Sequence, residues 1–175
     1  ENENYIDDHQ LTFFEVTTAM AFKYFLEEET DICLIETGLG GRLDATNVLN
    51  SLAVVITTIS LEHTNVLGNT LSEIATEKAA IIKNGVNVFT GKLKDEAFEV
   101  INQKCIDTNS QLFSLKNYIF DEGNKVKLLL SPDKILNIDP PLRGKYQKYN
   151  NSAVLLHSLA SEYIVSIHQS SHARR

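Results

Sequence analysis

The residues best suited to chemistry lie close together in the stretch DICLIETGLGGRLDATN, residues 31–47. Glu36 ends a short apolar run and opens a loop with three glycines, Gly38, Gly40 and Gly41, followed by Arg42, Asp44, Thr46 and Asn47. A carboxylate leaving the carboxyl end of a buried parallel strand is well placed for a metal or a substrate, because ligands collect there in open α/β sheets. The glycines let the backbone take positive φ and approach a ligand closely. The same pattern also suits a tight strand-to-helix connection with a surface acid. A second group follows the next apolar run, where Ser60-Leu61-Glu62-His63 leads into a loop that closes at Gly68. Lys78 comes later, spaced so that it lies near Ile74, Ile81 and Ile82 on a helix, where a lysine ordinarily reaches past the apolar stripe to water.

Positioning these residues requires strands and helices in alternation. Residues 32–35 have the length and β-rich content of a strand buried on both faces. Upstream, Phe14, Thr18, Phe22, Phe25 and Leu26 recur at helical spacing and predict a helix over 14–28 whose aromatic stripe faces a core. Its acidic end, Glu27 to Glu29, opposes the helix dipole. Residues 51–59 predict a second interior strand. Thr70-x-x-Glu73 is a capping box that opens a helix reaching Lys83, with Gly85 as its stop. Strands over 86–90 and 111–115 bracket a helix over 95–107. Residues 118–120 and 125–130 flank a turn-rich link and suggest a hairpin, 131–142 a crossover, and 149–167 a final helix. The expected fold is α/β, a mostly parallel sheet flanked by helices with a short antiparallel piece toward the carboxyl end. Residues 1–10 read as a connector, 11–168 as the folded domain and 169–175 as a disordered tail.

Composition narrows the possibilities. The 175 residues are 43% hydrophobic and 22% charged, enough for one medium core. A net charge of −7 argues against a nucleic-acid surface, since no broad basic field exists to displace counterions. It leaves room for an anionic ligand held by a metal or a few local cations. Cys33 and Cys105 have no CxxC partner and read as buried, inert thiols of a reducing compartment. Neither a signal peptide nor a membrane-length apolar run occurs, so the expected location is the cytoplasm.

Four separated blocks give a more specific expectation. TFFEVTTA (Thr12 to Ala19) is similar to Thr-x-Phe-Glu-x-x-Thr, and ETGLGGRLDATN to Glu-Val-Gly-Leu-Gly-Gly-Arg-Leu-Asp-Ala-Thr-Asn. ITTISLEHTNVLGNTLSEIATEKAAIIKNG resembles an Ile-Thr-x-Ile-x-x-Asp-His to Glu-Lys-Ala-Gly-Ile-x-Lys block, and PLRGKYQKYNNSAV a Gly-x-His/Tyr-Gln-x-x-Asn helix start. In this order, over about residues 11–160, they resemble the folylpolyglutamate synthases and bifunctional dihydrofolate synthases of the Mur ligase superfamily. The resemblance implies a Rossmann-like sheet of the P-loop type and an ATP-dependent amide ligation. ATP phosphorylates a carboxylate of folate or dihydropteroate, and the amine of L-glutamate attacks the acyl phosphate.

By the same resemblance, Glu36, His63 and Lys78 hold Mg2+, with His63 and Lys78 also in the catalytic centre. Lys78 falls at the family's carbamylated lysine; CO2 adds only to a neutral amine and turns the cation into an anionic oxygen ligand. Thr12, Phe13, Phe14 and Glu15, with Leu43, Asp44 and Ala45, match the pterin-binding stretches, and Asn150 an ATP-contacting asparagine. The implied parent enzyme is a monomer that meets no nucleic acid and no membrane.

Departures from the pattern are Thr37 for Val, Ala80 for Gly, and Glu62 for the Asp beside His63, whose extra methylene alters the geometry next to the imidazole. No G-x-x-x-x-G-K-[ST] phosphate loop occurs in the 175 residues, so the sequence resembles a central part of the ATPase domain. The chain alone is expected neither to turn over ATP nor to hide all its apolar surface, and self-association follows. Two alternatives stand beside this: a Mur-type amino-acid ligase, and a non-catalytic remnant that binds pterin without ATP chemistry.

Overall fold

A computed structural model of the chain describes residues 9–114, 119–122, 125–131 and 134–138. The backbone divides into two units, Glu1–Asn50 and Ser51–Arg175.

In the first unit, helix α1 (Phe13–Glu27) begins at its N-cap, Thr12. Thr12 Oγ1 accepts the Glu15 N–H at 3.2 Å, and Glu15 Oε2 takes the Thr12 N–H at 2.7 Å. Two of the helix's open donors are thereby satisfied. No basic residue stands in its last turn, as expected; Lys23 pairs with Glu27 at 3.5 Å on the exposed face. The expected stripe is partly covered: Thr18 is buried and Phe22 and Phe25 are half-buried, whereas Phe14 and Leu26 at its two ends are exposed.

A second correction concerns residues 32–35, which form no strand; Ile32 is 80% and Leu34 93% exposed. β-rich content makes a strand only where a neighbouring strand takes up the backbone N–H and C=O groups. Among the described residues this segment has no such neighbour. Cys33 is accordingly exposed, against expectation, and its sulfur sits 3.0 Å from Thr30 Oγ1. The chain then closes into a short 3-10 helix, Ala45–Val48, which touches α1.

The second unit holds the core. Strands β1 (Ala53–Ile56), β2 (Asn87–Thr90) and β3 (Gln111–Ser114) form a parallel sheet in that order. Parallel neighbours need a crossover of a dozen residues or more. These are supplied by α2 (Thr64–Leu67) and α3 (Leu71–Ala79) before β2, and by α4 (Asp95–Asp107) after it. The apolar period of α3 and α4 brings Ile74, Ala75 and Ala79 together with Ala97, Ile101 and Cys105 over Val54, Ile56 and Val88. Where an interior strand was expected from its β-branched run, β1 pairs among the described strands with β2 alone, and it alternates half-buried and buried residues.

The Thr70–Glu73 capping box forms as predicted. Helix α3 nevertheless stops at Ala79, four residues early. Ile81 and Ile82 donate to Lys78 and Ala79 three residues back, which tightens the chain out of the α-helix. Gly85, at φ 71°, instead turns the chain into β2 and donates its N–H to Thr108 O at 2.9 Å.

Strands β4 (Ile119–Glu122), β5 (Lys125–Ser131) and β6 (Lys134–Ile138) form a separate antiparallel sheet. Where a crossover was expected, β6 pairs with β5 around an irregularity between Leu129 and Ser131. The expected final helix, Asn150 and the expected tail lie outside the described residues.

Candidate functional site

The glycine loop is organised by Asp44. Its carboxylate is 9% exposed and accepts four hydrogen bonds from its own neighbourhood. Oδ2 takes the N–H groups of Gly38 at 2.8 Å and Leu39 at 2.9 Å. Oδ1 takes the Thr46 N–H at 2.9 Å and the Thr46 hydroxyl. An aspartate that caps a helix and folds back on upstream amides pins a loop on both sides. Burial pushes the Asp44 carboxyl up, but the hydroxyl of Thr46 and the amides of Leu39, Thr46 and Gly38 outweigh it, and the net shift is downward.

Phe14 joins α1 to this loop. A Cβ built on Gly38 would lie 2.6 Å from Cζ of the Phe14 ring, so the ring rests on the glycine. Of the expected pterin contacts, Phe14 and Asp44 thus meet around Gly38. Phe13 and Leu43 are both more than 80% exposed and open to a ligand. Thr12 and Glu15 are engaged with each other, and the N–H and hydroxyl of Thr12 hold the Glu15 carboxyl below the usual range. Ala45 starts the 3-10 helix.

Glu36 is exposed in the first unit, on chain without regular secondary structure and not at a strand end. His63 and Lys78 belong to the second unit. Seven residues beyond β1, His63 adopts a left-handed backbone, φ 51° and ψ 38°, an uncommon conformation that recurs where function requires it. Its carbonyl accepts the N–H groups of Val66 and Leu67, while its side chain makes no cap and is exposed. Lys78 is half-buried in the last turn of α3. The turn between α2 and α3 is braced by Glu73, whose carboxyl the N–H groups of Asn69 and Thr70 hold below its ordinary value.

As donor types, a carboxylate and an imidazole suit a divalent cation, and Glu36 and His63 are both open to one. Lys78 fits only as a carbamate, because an ammonium repels a cation. Among the described residues no group of three or more His, Cys, Asp or Glu side chains could hold a metal ion.

Two features escaped sequence reasoning. One is Thr46, whose contribution depends on a bond that folds back onto Asp44. The other is the carboxyl end of β2. Gly91 lies so close to β1 that a Cβ there would fall 1.9 Å from Thr57 O, and the Thr90 hydroxyl beside it is buried without a hydrogen-bond partner.

Parallel strands joined by helices, with the chemistry-bearing residues carried on loops, define an α/β protein of the kind that takes ligands outside its sheet. No family model matches the sequence. Individual relatives do. The dihydrofolate synthase/folylpolyglutamate synthase of Bacillus subtilis is 39% identical over 163 residues, covering 89% of this chain and 37% of that protein. The folylpolyglutamate synthase of Lacticaseibacillus casei is 36% identical over 150 residues, covering 82% and 35%. Solved structures agree: the apo form of the L. casei enzyme has a TM-score of 0.76 at 31% identity, covering 91% of this chain and 42% of that one. A complex of folylpolyglutamate synthase with AMPPCP and folate matches equally well, with a TM-score of 0.76, 31% identity and the same coverage. The chain belongs to the folylpolyglutamate synthase/dihydrofolate synthase family. It spans about a third of the length of the curated relatives it matches. Among the described residues no helix is long and apolar enough to cross a membrane.

Proposed function

We propose that this chain is the folate-facing portion of an ATP-dependent ligase that adds L-glutamate to folate, and in a bifunctional version to dihydropteroate, in a reducing, cytoplasmic setting. The observation that carries the reading is the 39% identity over 163 residues to a protein named for both activities. Solved relatives bound to AMPPCP and folate, or to ADP, support ATP and folate as ligands.

In the proposed reaction a folate carboxylate oxygen attacks the γ-phosphorus of ATP, forming an acyl phosphate and releasing ADP. The free amine of glutamate then adds to the acyl carbon, an amide forms, and inorganic phosphate leaves with the bonding pair. The stretches Thr12 to Glu15 and Leu43 to Ala45 hold the pterin end, with the exposed Phe13 and Leu43 offering apolar surface to it. Asn150 contacts ATP. Glu36, His63 and carbamylated Lys78 are the positions for Mg2+, which when bound supplies charge neutralisation at the phosphate oxygens.

Equilibrium titration of this polypeptide with folate tests the proposal, and saturable binding is expected. Failure to bind folate or pteroate at any concentration would overturn it. Because the 175 residues contain no G-x-x-x-x-G-K-[ST] phosphate loop, ATP- and glutamate-dependent elongation of folate by this polypeptide alone is expected to be absent, and its appearance would contradict that.

A further inference from the structure

We propose that Thr46 is a positioning residue for the folate-facing surface, acting through Asp44 and Gly38 on Phe14. Thr46 is 8% exposed and spends both of its donors, N–H and hydroxyl, on one oxygen of Asp44. The other oxygen holds the amides of Gly38 and Leu39. A carboxylate offers about four acceptor sites, and this loop fills them all. Gly38, fixed by its amide, is also the residue under the Phe14 ring: three ring carbons lie within 3.0 Å of where a Cβ would stand.

One line of contact therefore runs from the 3-10 helix, through the glycine loop, to the first turn of α1. It fixes the separation between the two stretches assigned to the pterin, Thr12 to Glu15 and Leu43 to Ala45. No single residue in it is replaceable by shape alone. Valine at position 46 has the volume of threonine and keeps the backbone N–H, but its side chain cannot donate, which leaves Oδ1 one bond short in a site that water hardly reaches. Alanine at position 38 must push the Phe14 ring aside. The ligand named here rests on the folate reading above, whereas the geometry does not.

The test uses the whole chain and two readouts, amide hydrogen exchange at Gly38 and Leu39 and titration with folate. Thr46→Val is expected to speed exchange at both amides and to weaken folate binding, each about tenfold. Thr46→Ser, which keeps the hydroxyl, should stay within about threefold of the parent in both. Gly38→Ala should weaken folate, and adding Phe14→Leu should recover part of the loss, the mark of a shared contact. Unchanged exchange in Thr46→Val, or a Thr46→Ser variant as impaired as Thr46→Val, would overturn the proposal. If no variant and not the parent chain binds folate, the ligand assignment falls, and exchange still decides whether Thr46 positions the loop.

Discussion

At the scale of single residues, Asp44 ties the glycine loop together through four accepted hydrogen bonds. Its folded-state carboxyl titrates below the ordinary aspartate range, so its contribution is present above about pH 4. That contribution is lost as pH falls through the lowered folded value. Glu15 and Glu73 shift in the same direction and add to the same acid edge. Asp44→Asn is expected to cost about 1–3 kcal/mol at neutral pH, since an amide cannot accept all four donors. It should also flatten the loss of stability below pH 4; circular dichroism across a urea and pH series measures both. Gly91→Ala is expected to be harsher. The clash is with a backbone oxygen that no rotamer change can move, and a loss of about 3 kcal/mol or more should appear as an earlier urea midpoint. Neither effect was legible in the sequence, because each depends on an atom brought close by the fold. Asp44 stood out as an acid in a glycine loop, but its partners upstream and downstream could not be read.

At the scale of elements, what could be read was what local chemistry decides. Thr70 and Glu73 announce a helix start because the capping bonds span only three residues, and the structure forms them. The equivalent pair Thr12 and Glu15 is equally local and forms the same reciprocal cap. Thr70→Ala is expected to cost about 1 kcal/mol, measured by thermal or urea unfolding. Residues 32–35 teach the opposite lesson. Ile, Cys, Leu and Ile carry β preference, but preference does not supply neighbours, and the segment remains unpaired among the described residues. Leu34→Ser should therefore change stability by less than about 0.5 kcal/mol, whereas a buried strand leucine would cost several times more. The same blindness to neighbours applies to the β-branched run of β1, which among the described strands pairs with β2 alone. The α/β class itself was legible, because strand–helix alternation is a pattern along the chain.

At the scale of the whole molecule, the two units differ in how well they cover their apolar residues. The second closes a core over Ile74, Ile82, Val88 and Ile101, all at most 1% exposed. The first leaves Phe13, Met20, Tyr24, Leu26, Ile32, Leu34, Leu43 and Val48 largely exposed. Apolar exposure on this scale favours association. Sedimentation of the purified chain is expected to show an average mass that rises with concentration; a single monomeric species across the range would contradict it.

The two cysteines divide along the same line. Cys105 is sealed in the core on the buried face of α4, and burial pushes its thiol up to about 11. Cys33 stands in the open three residues before Glu36. Thiolate chemistry follows access and ionisation, so a maleimide dye added to the native protein should couple at one position only. That gives a fluorescent reporter beside the glycine loop without altering a single residue.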